Sequence, residues 1–211
     1  MQVPVGPEGV VYTFPAKDLW DRVYFRDARS GVNHFSLNDS NVWELRHPAL
    51  PTIDAEDFRS VAEFFTDGAF GVRFPENQEQ NKEAIAQCVG AWDTAERLRL
   101  NDMLEHIADK VNYLQWDNID ALAWATTVYD TGGPVLDAHT AMRNWASSYL
   151  AHHFWPYIRD KNLSSIFRKR LRTLPELERD VFEKRFENLK AGVEQDEDEE
   201  SDEYQTDGDG A

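Results

Sequence analysis

The side chains best suited to chemistry are a lone cysteine, two adjacent histidines and a pair of carboxylates: Cys88, His152, His153, Glu56 and Asp57. Cys88 falls on an apolar helical stripe without a histidine near it in sequence, which favours a small core residue over a nucleophile. Neighbouring residues on a helix point about 100° apart. Since no third ligand has a supporting spacing, His152 and His153 favour one packed and one solvated ring over a metal site. Glu56 and Asp57 suit a first helical turn, where carboxylates complement the helix dipole.

Motifs of catalysis and cofactor binding are missing from the sequence. It contains no Gly-rich loop followed by Lys and Ser or Thr, no serine nucleophile elbow, and no Cys-x-x-Cys in a chain with one cysteine. We therefore predict a protein that is not an enzyme, with no catalytic, metal-ligating or cofactor-binding residue and no cofactor.

The charge of the chain is concentrated at one end. Its 211 residues include 39 Asp or Glu and 22 Lys or Arg, for a formal net charge of −17. Residues 194–211, called the acidic segment below, contain ten acidic residues and no basic one, so the rest of the chain carries −7. An acidic chain repels nucleic-acid phosphates, which argues against direct DNA or RNA binding.

The apolar content, the N-terminal sequence and the cysteine count limit the class of protein and the cellular compartment that the sequence fits. Hydrophobic residues make up 41% and aromatic residues 12%, enough to build a core, which excludes a wholly disordered chain. No apolar run approaches the roughly 18 residues that cross a bilayer, so we predict no membrane partner. The N-terminal residues lack the pattern of a secretory signal, and one cysteine cannot form an internal disulfide. Both observations predict a cytoplasmic or nuclear protein.

Hydrophobic periodicity predicts a few short strands followed by helices. Strands are predicted within 1–14 and over 42–45, with a polar turn between 33 and 41. Helices are predicted over 18–28, 54–68 with Asp54 as cap, 84–111 with a break at Arg99 and Asn101 as cap, 118–129, 135–153, 163–171, and 173–189 opening with a capping box at Thr173. This order favours an α+β fold with a largely helical second half.

Four blocks of sequence, in one order, extend this interpretation. The first is Val3-Pro4-Val5-Gly6-Pro7-Glu8 with Tyr12-Thr13-Phe14-Pro15-Ala16-Lys17-Asp18-Leu19-Trp20, Tyr24-Phe25-Arg26 and Gly31. The second is Leu50-Pro51, Asp54, Glu56, Phe58, Glu63-Phe64-Phe65 and Gly68. The third is Val89, Ala91-Trp92, Ala95-Glu96, Leu98, Leu100, Leu104, Ala108 and Val111, and the fourth is Tyr129-Asp130-Thr131-Gly132-Gly133-Pro134 with Trp145-Ala146. Together these blocks resemble BTB/POZ domains, particularly the fungal kind, over residues 3–146.

The resemblance implies a fold and a class of function. BTB/POZ domains are clusters of helices capped by a small three-stranded sheet, and they act by binding other proteins. We therefore expect a BTB/POZ-like domain over 1–114, a helical extension over 115–192 and a disordered acidic tail over 193–211. Ala16 stands where the family usually has His, and Thr66-Asp67 replaces Tyr-Thr before Gly68.

The resemblance also implies partners. A scaffold would bind itself or other BTB-type chains, and an adaptor would hold a substrate for a cullin-based ubiquitin ligase, although no recognisable substrate-binding module follows residue 146. BTB dimers often exchange an N-terminal strand, and only two residues precede Val3. We therefore do not expect a strand-swapped homodimer.

Three further features are candidate binding sites. Phe70, Val72 and Phe74 alternate after Gly68, which predicts either exposed anchors on a strand that pairs with a partner or an ordinary internal strand. The basic cluster, consisting of Arg168, Lys169, Arg170 and Arg172, fits a nuclear-import signal, a phosphate contact, a contact with the chain's own acidic segment, or simply a solvated helix end.

The acidic segment is the third candidate. Its densest run is Asp196, Glu197, Asp198, Glu199 and Glu200. Such a composition cannot bury apolar area and predicts disorder. It fits either binding of basic partners such as histones, in an acidic-tailed chromatin protein, or a tail that only keeps the chain in solution.

Overall fold

The computed structural model describes residues 1–20, 35–46, 48–71, 74–130 and 135–203, with the backbone alone at Trp20, Phe35 and 193–203. The chain divides into two compact units. Unit 1 comprises Met1–Trp116 with Gly132–Thr140, and unit 2 comprises Asp117–Thr131 with Ala141–Ala211.

Unit 1 begins with a small mixed sheet. Its strands are β1 (Gln2–Val5), β2 (Val10–Thr13), β3 (Phe35–Leu37) and β4 (Trp43–Leu45), in the order β2-β1-β4-β3. The β1–β2 and β3–β4 pairs are antiparallel, whereas β1 and β4 are parallel. The β1–β2 turn closes with Gly6 and Gly9 at positive φ, where glycine is free of the steric cost that other residues meet.

Unit 1 also contains helices. They are α1 (Ala16–Trp20), α2 (Ala55–Asp67), α3 (Gln78–Arg97) and α4 (Asn101–Val111). A 3-10 turn at Leu50–Thr52 precedes α2. Tyr12 of β2 donates a hydrogen bond to Ala55 O at 2.7 Å, and its ring packs on Phe58 with centroids 4.9 Å apart. Val3 and Leu45 of the strands and Phe58 and Trp92 of the helices are among the fully buried residues, so strands and helices both contribute to the core of unit 1.

Unit 2 consists of helices in its described part. The helices of the second half of the chain are α5 (Asn118–Tyr129), α6 (Asp137–His152), α7 (Phe154–Arg159), α8 (Leu163–Thr173) and α9 (Pro175–Glu203). The core of unit 2 includes Trp124, Tyr157, Phe167 and Leu177. Tyr157 donates to Asn118 O at 2.7 Å and stacks on Phe167 at 4.7 Å, which joins α5, α7 and α8.

The predicted α+β class, with a small mixed sheet followed by helices, is confirmed. Within the described residues the sheet has four strands where three were expected, because residues 35–37, predicted to be a turn, pair with β4. The predicted cap at Asn101 is wrong, since Leu100 occupies the cap position without a side-chain bond. Most of the predicted 18–28 helix lies outside the described residues, and α1 is its described beginning.

The C-terminal helix differs most from expectation. It was predicted to end near Leu189 with a disordered tail from 193, but α9 continues to Glu203. Glu and Gln are strong helix formers, and the single glycine, Gly192, costs only about 1 kcal/mol in a helix interior. Residues 204–211 lie outside the described residues. Among the residues that are described, none of the helices combines the length and apolar character needed to cross a membrane.

Candidate functional site

Two loops of unit 1 hold the side chains best placed to contact a partner. The first loop follows α2 and joins it to α3, and the second follows α4. Gly68 ends α2 in the left-handed conformation, with φ of 70°, and its N–H donates to Phe64 O. The chain then turns inward, and Phe70 is only 3% exposed.

Lys110 of α4 holds the first loop in place from the interior of unit 1. Its Nζ donates to Phe70 O at 2.8 Å and lies 4.1 Å from the centroid of the Phe70 ring. The side chain is buried, and this burial lowers the pKa of Lys110. The next residue, Gly71, donates its N–H to Glu63 Oε2 at 3.0 Å. The loop is therefore bonded to both α2 and α4.

Asn81 of α3 fixes the second loop. Its side-chain amide donates to Gln115 O at 2.6 Å, and its Oδ1 accepts from Gln115 N–H at 2.8 Å. Trp116 Nε1 donates to Val111 O at 3.0 Å, which closes the same loop on the end of α4. Asn81 is itself buried whereas Gln115 is exposed, so both bonds are partly shielded from competing water.

The two loops bring Phe74 and Tyr113 together at the surface. Their ring centroids are 5.3 Å apart and the rings meet edge to face at 78°. The two residues, called the aromatic pair below, are 59% and 54% exposed. Aromatic side chains on a rigid base offer large contact area at low entropic cost, and they are enriched where proteins bind proteins. The arrangement is suited to anchoring a partner.

The predicted anchors Phe70, Val72 and Phe74 thus have different outcomes. Phe74 is exposed, as an anchor must be, whereas the expectation for Phe70 is wrong because Lys110 and His106 hold its ring in the interior. Val72 lies outside the described residues. Residues 68–71 and 74–77 form no strand, so the predicted alternating strand is wrong for the described part of this segment.

Sequence analysis missed Tyr113, Lys110 and Asn81. Tyr113 follows the last apolar residue of α4, a position that gives no signal of its own. Lys110 lies on the same helix beside apolar residues, and nothing local indicates that its partner is a carbonyl 40 residues away. Asn81 lies in a polar stretch where an exposed residue was the natural expectation.

The basic cluster lies on the exposed face of α8. The opposite face buries Phe167 and Leu171, which turns Arg168, Lys169 and Arg172 to solvent. Within the described part of the chain, none of the four cations forms an ion pair. A shallow surface groove of about 570 Å³ runs along this face, lined by Ser164, Ser165, Arg168, Lys169, Arg172 and Thr173. The cluster is available to an anionic partner.

The capping box predicted around Thr173 does not form as expected. Thr173 Oγ1 donates back to Lys169 O and Arg170 O of its own helix, at 3.1 and 3.0 Å. The acidic residues Asp196, Glu197, Asp198, Glu199 and Glu200 lie on the described backbone of α9.

The cysteine, histidines and carboxylates with which the sequence analysis began lie in the core, at a helix start or on a helix surface. Cys88 is a buried core residue, and burial raises the pKa of its thiol to about 11. Asp54 caps α2 by accepting from Glu56 N–H at 2.8 Å, which confirms that cap, and Glu56 and Asp57 lie in the first turn. His152 is exposed and His153 half-buried, and burial lowers the pKa of His153. No group of three or more His, Cys, Asp or Glu side chains among the described residues could hold a metal ion.

A buried histidine that the sequence did not single out is part of the packing of unit 1. His139 Nδ1 accepts from Leu136 N–H at 3.1 Å, so Nε2 carries the ring proton and faces Glu96 Oε1 at 2.6 Å. Its ring also packs edge-on against Trp92 at 5.2 Å. With both ring nitrogens occupied, the residue positions the start of α6.

Comparison with known proteins gives no relative for the chain: no family model, no curated protein and no solved structure matches it.

Proposed function

We propose that this chain is a non-enzymatic protein–protein interaction module of the BTB/POZ type, which acts as a scaffold or adaptor in the cytoplasm or nucleus. The observation that carries the proposal is the aromatic pair, Phe74 and Tyr113, exposed on two loops that are each bonded to the helices beneath them. A surface held rigid while it exposes apolar area is suited to binding a macromolecule.

The element order of unit 1 also supports the proposal. In the described residues, the β1–β2 hairpin is followed by α1, by the antiparallel strands β3 and β4, of which β4 lies parallel to β1, and then by the helices α2 to α4. A helical cluster capped by a small sheet is the arrangement that the resemblance to BTB/POZ domains implies. Because one fold serves many functions, the binding role rests on the surface and not on this order.

A comparison of three forms of the full chain tests the proposal. The wild type, the double variant Phe74→Ser with Tyr113→Ser, and the control Val11→Thr would each be used for affinity purification from the cells that make the protein. Val11 is as exposed as Tyr113 but lies on β2, so the control also removes exposed apolar area. We expect a defined set of proteins with the wild type and the control, depleted at least about tenfold by the double variant, which is a loss of about 1.4 kcal/mol.

Direct binding of the recovered protein, purified and titrated by calorimetry, completes the test. The double variant should weaken this binding while its thermal unfolding temperature stays near that of the wild type. Recovery of the same proteins by all three forms would contradict the proposal.

The adaptor form of the proposal requires a cullin among the partners. Titration of a purified cullin N-terminal domain into the full chain distinguishes it from the scaffold form. Saturable binding that the double variant weakens would establish the adaptor. The absence of binding at about 100 μM, far above the dissociation constants of specific stable complexes, would leave the scaffold form alone.

A further inference from the structure

The helix α9 carries a second apolar face that its own unit does not cover. Leu177 and Val181 are fully buried in unit 2, whereas Phe182, Phe186 and Leu189 are 47%, 66% and 51% exposed. The three exposed residues follow the i, i+4, i+7 spacing that places side chains along one face. At about 100° per residue, this face, called the α9 stripe, is rotated by about 130° from the buried one.

Aromatic side chains of α7 extend the stripe. The Phe182 ring lies 5.9 Å from that of Phe154, and the Arg185 guanidinium lies 5.9 Å from Phe154 and 5.7 Å from the half-exposed Trp155. Lys190 Nζ lies 5.8 Å from the centroid of Phe186. The stripe is thus an apolar surface with cations at its edges, the composition of an interface core and its rim.

Charge is distributed unequally along the same helix. Residues 194–203 contain eight acidic residues and no basic one. The other end of α9 adjoins the basic cluster, because only Leu174 separates α8 from α9. An α-helix rises 1.5 Å per residue, so residues 194–203 lie about 28–42 Å along the axis from Pro175.

This distance prevents contact within one chain. The helix α8 has 11 residues and is about 16 Å long. Even if α8 ran back directly alongside α9, Arg168 would lie level with residue 180, about 21 Å short of Glu194. While α9 remains helical, the acidic residues 194–203 of one chain therefore do not reach the basic cluster of the same chain.

We propose that two copies of the chain pair through the α9 stripe in antiparallel orientation, with residues 194–203 of each copy directed toward the basic cluster of the other. An antiparallel pairing centred near Phe186 places residue 194 level with residue 178 of the second copy. Residues 198–203 then extend past Pro175 of the second copy, toward the end of its α8. The two contacts are equivalent by two-fold symmetry, so the interface is closed.

The distribution of charge along α8 and α9 favours the antiparallel orientation of the two copies over the parallel one. A parallel pairing would place the two runs of eight acidic residues side by side and the two basic clusters together. The antiparallel pairing brings opposite charges together, which specifies the register while the apolar stripe supplies most of the affinity. This inference concerns unit 2 and does not depend on the aromatic pair.

Sedimentation equilibrium of the full chain tests the pairing. We expect the wild type to dimerise reversibly, with a mass approaching twice 24.4 kDa at micromolar concentration. The double variant Phe186→Ser with Leu189→Ser should raise the dissociation constant at least about 100-fold, since it removes exposed apolar side chains at the centre. Ile119→Ser removes a similarly exposed side chain on α5 and should leave dimerisation unchanged. A wild type that stays monomeric at about 100 μM, or a dimer that the double variant does not weaken, would overturn the proposal.

Charge and orientation are tested separately. Reversal of the basic cluster to Glu at all four positions should raise the dissociation constant about tenfold or more in low salt, and by less as salt screens the contact. An equimolar mixture of Arg179→Cys and Val193→Cys should form a disulfide between the two variants on mild oxidation. These positions lie level in the antiparallel pair and, at about 100° per residue, on the side of α9 that carries the stripe. Disulfides joining only identical variants, or a charge reversal without effect in low salt, would overturn the antiparallel arrangement.

Discussion

Lys110 and Cys88 are neighbouring ionisable residues in the core of unit 1, and burial disfavours the charged form of both. The pKa of Lys110 is lowered and that of Cys88 is raised to about 11. Phe70 compensates for the burial of Lys110 Nζ, because its carbonyl oxygen accepts a hydrogen bond from Nζ and its ring faces the nitrogen. These contacts fix the loop that carries Phe74.

Replacing Lys110 should therefore make the loop open more often while the free energy of unfolding changes little. In Lys110→Met, the loss of the donor to Phe70 O is offset by the removal of a buried charge, so we expect the free energy of unfolding to change by less than about 1 kcal/mol. The Gly71 amide, bonded to Glu63, should exchange its hydrogen about tenfold faster, as measured by hydrogen–deuterium exchange. Lys82→Met, on the exposed side of α3, is the matched control. Unchanged exchange at Gly71 would show that Lys110 does not hold the loop.

Cys88 predicts a dependence of stability on pH. The folded thiol titrates near pH 11, whereas the unfolded thiol titrates near its ordinary pKa of 9.0. Between these values the unfolded chain binds fewer protons than the folded chain, so stability falls as pH rises from 9 to 11, by at most about 3 kcal/mol. Urea unfolding of the wild type and of Cys88→Ala across pH 8–11 checks this, since the variant should lack this part of the decline. Parallel pH profiles would contradict the burial of the thiol.

The loops beside α3 and α4 are held in place by hydrogen bonds from residues that are distant in sequence. The loop after α4 is fixed by Asn81 of α3, 34 residues earlier in the chain. The loop before α3 is fixed by Lys110 of α4. The aromatic pair therefore depends on the packing of α3 against α4.

Asn81→Ala should weaken that arrangement. It removes two hydrogen bonds and leaves Gln115 N–H and O without these partners, so we expect a loss of about 1–3 kcal/mol in the free energy of unfolding by urea. Asn101→Ala, exposed at the start of α4, is the control and should change stability by no more than about 0.5 kcal/mol. Equal effects of the two substitutions would mean that Asn81 does not join the loop to α3.

Local signals in the sequence were sufficient for several elements. Asp117 accepts from Ile119 and Asp120 N–H, and α5 has the predicted bounds 118–129. Arg99, where the 84–111 helix was predicted to break, adopts φ of 52° between α3 and α4. Each of these features depends on residues close together in the chain.

Features that depend on distant partners could not be predicted in the same way. β3 forms because Phe35, Ser36 and Leu37 pair with β4, whereas their own composition resembled a turn. Phe70 is buried by Lys110, 40 residues away. Of the aromatic pair, sequence analysis found Phe74 and missed Tyr113, since the pairing exists only after α4 packs against the rest of unit 1.

The whole molecule combines two compact units, and each exposes apolar side chains on a fixed base. Unit 1 exposes the aromatic pair, and unit 2 exposes the α9 stripe. More than half of the excess negative charge lies at one end of the chain, in residues 194–211, and the cations of α8 lie before α9 begins. This distribution favours binding to other proteins at more than one surface.

The most direct measurement of the binding role is site-specific photo-crosslinking in the cells that make the protein. A photoreactive phenylalanine analogue would replace Phe74 in the full chain, with Val11 and Ile119 as exposed control positions. We expect a discrete crosslinked adduct from position 74, absent at both control positions and reduced when Tyr113→Ser is also present. No adduct at position 74, or the same adduct from all three positions, would contradict the assignment of the aromatic pair as the binding surface.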